Sequence, residues 1–389
     1  MTGFTRRDML AGTAALGGAG LALPAFAQEQ GLAQAQGTGL NAAAAAKGMR
    51  FGSCLAWSPA GADRGSFANP AYAALLERDC GILVPENEFK WQALRPDAKT
   101  FNVERFDAML AYAEAKNIPM RGHTLLWHKT QFFPKWLNEH DFGATPAKEA
   151  ERLLTQHIKT IAKLYGNRVM SFDVVNETID EGTGLQRETS LSKAWGSADA
   201  MVDHAFHTAR TQMPKAELVY NDYMSWEPGN EKHRAGVLKL LEGFRKRGVP
   251  CDALGVQSHI GLTAGSTVGA LVSKQEKPWR EFLDAVTGMG YKLLITEFDV
   301  NDKVLPSDAN IRDGIIANYA AAYLEIMFSY PQLRDVLAWG MCDKYTWLNQ
   351  FTPRADMTVQ RAAPYDEKFR PKALYRAIKQ AFDATPARA

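Results

Sequence analysis

The residues best equipped for chemistry fall in seven short clusters. They are Pro85-Glu86-Asn87-Glu88-Phe89-Lys90-Trp91, Arg121 to His128, Asp173-Val174-Val175-Asn176-Glu177, Tyr220-Asn221-Asp222-Tyr223, Gln257-Ser258-His259, Thr296-Glu297-Phe298-Asp299, and Trp339-Gly340 with Asp343 to Trp347 following. Glu177 and Glu297 each end an apolar run, where a carboxylate needs a reason because an unpaired buried charge is costly. Two such carboxylates are what cleavage of a glycosidic bond requires. One is held protonated to donate to the departing oxygen, and the other ionised to meet the developing oxocarbenium carbon. Carboxyls about 5–5.5 Å apart give retention through a covalent intermediate, and roughly 6.5–9.5 Å gives inversion; the sequence leaves that distance open. Taken alone, either glutamate would more often be half of a surface salt bridge.

The neighbours suit the same chemistry. Asn176 is placed to hydrogen-bond the sugar hydroxyl beside the reacting carbon. Asp299, two residues beyond Glu297, can orient His259, which would then help keep Glu297 ionised. Lys90, His123 and Gln257 offer donors to sugar hydroxyls, and Trp127, Trp339 and Trp347 offer faces for stacking; singly, each would more often be core or surface. His123 and His128 are five residues apart, on opposite sides of an extended strand, and no H-x-H or H-E-x-x-H pattern occurs, so no metal site is expected. Without G-x-S-x-G a serine nucleophile is poorly supported. No cofactor is expected.

Positioning these clusters falls to a regular alternation of β-rich runs and amphipathic helices. Strands are predicted at 50–55, 81–85, 119–125, 169–176, 217–221, 253–257, 292–297 and 336–339. Helices are predicted at 103–116, 151–165, 199–212, 231–247, 279–288, 311–328 and 372–382. Eight strand–helix units suit an α/β fold of one kind, a single (β/α)8 TIM barrel over residues 48–383; a doubly wound sheet usually has fewer strands and a Gly-rich first turn, which is missing. The clusters all lie at the carboxyl ends of the predicted strands, the face on which barrels carry their active sites.

Residues 1–27 read as an export address. Thr5-Arg6-Arg7-Asp8-Met9-Leu10 is a twin-arginine pattern, Ala11 to Leu23 is apolar but short for a membrane span, and Ala25-Phe26-Ala27 offers a cleavage site. Export to the periplasm or beyond is expected, with no stable membrane association afterwards. Residues 28–47, poor in large apolar side chains, read as a flexible leader, and 384–389 as a C-terminal tail. With 45 basic and 43 acidic residues and no block of like charge, nucleic acid is not indicated as a partner. Cys54, Cys80, Cys251 and Cys342 are widely spaced and read as buried small hydrophobes rather than a pairing the spacing could choose.

Together the motifs resemble glycoside hydrolase family 10, the (β/α)8 endo-1,4-β-xylanases. The match runs over roughly 48–383 and is carried by Glu86-Asn87-Glu88-Phe89-Lys90-Trp91, Arg121-Gly122-His123-Thr124-Leu125-Leu126-Trp127-His128, Asp173-Val174-Val175-Asn176-Glu177, Gln257-Ser258-His259 and Ile295-Thr296-Glu297-Phe298-Asp299, in the family's order. The resemblance implies Glu177 as acid/base and Glu297 as retaining nucleophile. It sets Lys90, His123, Trp127, Asn176, Gln257, His259, Trp339 and Trp347 around the sugar at the cleavage point, Glu86 and Asn87 at the next sugar on the glycone side, and Tyr223 at an aglycone stacking position. Xylan and xylo-oligosaccharides are the implied ligands, and a monomer is expected. Phe172, Thr178, Phe298, Cys342 and the first strand depart from the family's usual residues. A β-1,4-glucanase on the same barrel, or an inactive carbohydrate-binding barrel, are the alternatives; an inactive barrel would normally have lost one carboxylate, and both are present.

Overall fold

The structure is a computed structural model describing residues 39–388; the export address and the leader up to residue 38 lie outside the described residues. Among the described residues there are nine strands: β1 (Arg50–Leu55), β2 (Ile82–Pro85), β3 (Arg121–Trp127), β4 (Ser171–Asn176), β5 (Glu217–Asp222), β6 (Ala253–Val256), β7 (His259–Gly261), β8 (Lys292–Asn301) and β9 (Leu333–Ala338). All but β7 form a parallel sheet in the order β2-β1-β9-β8-β6-β5-β4-β3. One parallel bridge from Leu83 to Met120 brings its two ends together, so the expected barrel is what forms. β7 is a short addition that pairs His259 with Asp299 beyond the end of β6.

The helices are α1 (Leu40–Ala45), α2 (Pro70–Asp79), α3 (Glu104–Ala115), α4 (Pro146–Tyr165), α5 (Ala198–Gln212), α6 (Glu231–Arg247), α7 (Val268–Gly288), α8 (Ala309–Phe328) and α9 (Ala373–Ala384), with a few single turns between them. Their boundaries have local causes. Asn69 accepts from the N–H groups of Ala71 and Tyr72 ahead of Pro70, Asp308 accepts from Asn310 and Ile311, and Gly248 ends α6 at φ 70°. Helix α7 begins eleven residues before the predicted start at Trp279 and contains Pro278 in its interior. Pro278 has no N–H to give the Lys274 carbonyl, a single ladder bond lost from a helix of 21 residues that otherwise continues.

Both predicted ends need correction. From Gly39 on, the supposed leader is folded: Leu40 and Ala44 of α1 are fully buried, Leu40 N–H donates to Asp79 Oδ1 (3.0 Å), and Asn41 Oδ1 accepts from Phe51 N–H (3.1 Å). Small residues hid this, because an alanine can fill a core position that a search for large side chains passes over. The supposed tail is also tied down as far as Arg388, whose N–H donates to Lys47 O (2.9 Å) and whose guanidinium donates to Phe328 O (2.9 Å) and Tyr330 O (2.6 Å). The four cysteines are buried and unpaired.

Candidate active site

Glu177 follows β4 directly and holds φ at 55°, a conformation that costs a non-glycine residue about 1 kcal/mol or more. Its own N–H is fixed on Asn221 O (2.9 Å), so the chain turns sharply at the top of the strand. Ser258, just before His259, does the same at φ 62° and is anchored through Oγ to Tyr323 Oη (2.8 Å). Glu297 lies within β8, its N–H bonded to Gln257 O (2.9 Å).

A chain of amides joins the two glutamates. Glu177 Oε1 accepts from Asn176 Nδ2 (3.2 Å) and Gln257 Nε2 (3.1 Å). Asn221 Nδ2 donates both to Asn176 Oδ1 (2.9 Å) and to Glu297 Oε1 (2.8 Å), while Thr296 Oγ1 donates to Asn221 Oδ1 (2.7 Å). Asn221 has room only because residue 255 is glycine, where a Cβ would stand 2.3 Å from Asn221 Oδ1.

Burial by itself would push Glu297 up. The bond from His259 Nε2 (3.3 Å), the charges of His123 and His259, and the bond from Asn221 outweigh it and bring the carboxyl down to about 2. Burial would likewise lower His259, but Asp299, whose Oδ1 lies 3.0 Å from Nδ1, together with Glu297, raises it to about 10. Asp299 Oδ2 accepts from Trp347 Nε1 (2.7 Å), which fixes that ring at the rim. Asp299, His259 and Glu297 thus form one line of contacts.

Trp339 meets His123 and His259 edge-on, with ring centres 5.5 Å and 6.4 Å away. His123 Nδ1 is 2.9 Å from Asp173 Oδ2, and Asp173 also pairs with buried Arg121. Lys90 sits 4.6 Å above Trp127 and donates to Asn87 Oδ1 (2.9 Å); burial lowers its affinity for the proton while Glu297, Glu86 and Glu177 oppose this. Burial raises Glu86, which Lys90 counters. Tyr223 joins from the far side: Lys129 lies 5.3 Å above its ring and 3.5 Å from Glu177 Oε2, and the phenol bonds Glu181 (2.5 Å) and Arg187 (2.7 Å). These contacts connect Lys90, Asn87 and Trp127, His123, Trp339, His259 and Trp347, and Tyr223 to the surroundings of Glu177 and Glu297.

Asn221, Lys129, Arg187 and Asp173 were missed as site residues. The signal for Asn221 and Asp173 was their place in two of the strand-end clusters; Lys129 and Arg187 carried none. His128 bonds Thr178 (2.6 Å) and Thr189 (3.1 Å), and burial with the charge of Arg187 drives it down to about 3, so it braces the wall. This gives Thr178 a partner the departure from the family had left unexplained. Among the described residues no group of His, Cys, Asp or Glu could hold a metal ion.

With this geometry in place, the family model for glycosyl hydrolase family 10 matches residues 39–381. The chain belongs to that family. Similar curated proteins include endo-1,4-beta-xylanase A of Caldicellulosiruptor saccharolyticus, 30% identical over 78% of this chain and 87% of its own. Endo-1,4-beta-xylanase B of Thermotoga neapolitana is 28% identical over 79% and 82%. Among solved structures, xylanase 10B of Thermotoga petrophila RKU-1 in complex with xylobiose superimposes with a TM-score of 0.76 at 26% identity, covering 90% of this chain and 98% of that one.

Proposed function

We propose that this family 10 glycoside hydrolase is an endo-1,4-β-xylanase that cuts internal β-1,4-xylosidic bonds with retention of configuration. Glu297 is the nucleophile and Glu177 the acid/base. The observation that carries the reading is the amide chain through Asn176 and Asn221: it ties together two carboxylates of which one, Glu297, is held down at about 2 and so ionised. In the first step a Glu297 oxygen bonds the anomeric carbon as the bond to the bridging oxygen breaks, and Glu177 passes its proton to that oxygen. In the second, water adds to the same carbon, its proton goes to Glu177, and Glu297 is released.

Asn176, Gln257 and His259 surround the reacting sugar, with Lys90, His123, Trp127, Trp339 and Trp347 as its walls. Glu86 and Asn87 take the next glycone sugar, and Tyr223 takes an aglycone sugar. The xylanase relatives and the xylobiose held by a solved homologue support this substrate class. Export by residues 1–27 and action as a monomer complete the proposal; the twin-arginine pattern supports the first, and among the described residues no helix is long and apolar enough to cross a membrane.

The test is product release from soluble xylan and from a soluble cellulose derivative by the wild type and Glu297→Gln, with the first anomer formed read by proton NMR. Short xylo-oligosaccharides from wild type alone, appearing first as the β-anomer, are expected. An α-anomer first removes the double displacement, and activity confined to the glucan removes the xylanase reading.

A further inference from the structure

Large apolar side chains left exposed among the described residues are unevenly placed. Leu164 and Ile311 lie on outer helices, whereas Leu185, Val304, Phe351 and Met357 lie on loops that follow β4, β8 and β9 on the mouth side. Isolated exposed hydrophobes need no explanation, but an exposed ring packed against a ring at the rim of a binding site calls for one. Phe351 stands out. It is 74% exposed, yet its ring is 4.7 Å from that of Trp347 with the planes 33° apart, so the two form one apolar strip running outward from the rim. The inner end of that strip is fixed, since Trp347 is bonded to Asp299 and lies 5.0 Å from His259.

The loop carrying the strip is held rigidly. Buried Arg354 donates to Leu305 O (2.8 Å) and Asp356 Oδ2 (2.8 Å), and Gln360 donates to Leu348 O (3.3 Å) and Thr352 O (2.5 Å). A preset surface loses little freedom when it binds. The apolar C–H face of a pyranose is the natural cover for an aromatic ring continuous with one already lining a sugar site.

We infer that Phe351 binds a further sugar ring of the polymer being cut, one beyond the sugars held at the cleavage point and by Glu86, Asn87 and Tyr223. The inference rests on the xylanase reading and extends its site. Its test is steady-state hydrolysis of xylo-oligosaccharides from xylotriose to xylohexaose by the wild type, Phe351→Ala and Phe351→Trp, with circular dichroism to verify folding. For Phe351→Ala the expected result is a rise in KM that grows with chain length to roughly fivefold for the hexamer, reversed by Trp. No rise, or the same rise at every length, overturns it. A wild type that cleaves none of the series overturns the xylanase reading itself, and the inference with it.

Discussion

A glutamate enclosed by strands would ordinarily take up a proton, and Glu297 does the reverse because His259 reaches it and Asp299 keeps His259 charged. The two shifts have opposite consequences for pH. Glu297 sits below its ordinary 4.5, so its share of stability is present above that value and lost as pH falls toward about 2. His259 sits above its ordinary 6.5, so its share is full below 6.5 and lost as pH rises toward about 10. Replacing His259 with Gln removes the charge and returns Glu297 toward the usual range. The acidic limb of the kcat/KM profile should then move up by about one pH unit, as measured on a soluble substrate; an unmoved limb would mean that His259 does not set the state of Glu297. Glu177 and Glu297 were legible in the sequence because each closes an apolar run. Asn221 was not, since an asparagine at a strand end also reads as a turn former, and only the neighbour brought up by Gly255 distinguishes the two.

Single elements were easier to read than their joints. Six of the barrel's strands ended within two residues of the predicted limits, but the three-residue β7 is too short for any periodicity to show. That strand carries His259, and a carboxylate on another loop holds it. Glu227 Oε1 accepts from Gly261 N–H (2.9 Å), Trp226 Nε1 (3.0 Å) and Tyr319 Oη (3.1 Å), while Oε2 pairs with Ser225. Glu227→Ala would strand these donors, so destabilisation of about 3 kcal/mol is expected from urea titration. Glu227→Gln, which keeps an accepting oxygen, should cost less than half as much.

At the scale of the molecule, the barrel has a seam where the first strand meets the last. Arg50 pairs with Asp335 across β1 and β9 (2.6 Å), and the chain from Lys47 to Arg388 adds a second fastening below it. Arg388→Ala removes two charge-assisted bonds to carbonyls and should lower stability by about 2 kcal/mol, seen as a fall of a few degrees in Tm; an unchanged Tm would mean the end of the chain is merely laid against the barrel. The rhythm of strand and helix made the architecture legible. The fastening was not, because the bond from Arg388 N–H to Lys47 O joins residues more than 300 positions apart in the chain and uses backbone groups that every residue possesses.

The link between the two glutamates is made of side-chain amides alone, Asn176, Gln257 and Asn221. Amides donate and accept without gaining or losing a proton over the range in which enzymes work. They therefore hold the carboxylates in register while insulating them from each other: no Grotthuss-type hop can carry a proton from one glutamate to the other. On the proposed double displacement, the proton that Glu177 gives up in the first step is one it takes back from water in the second.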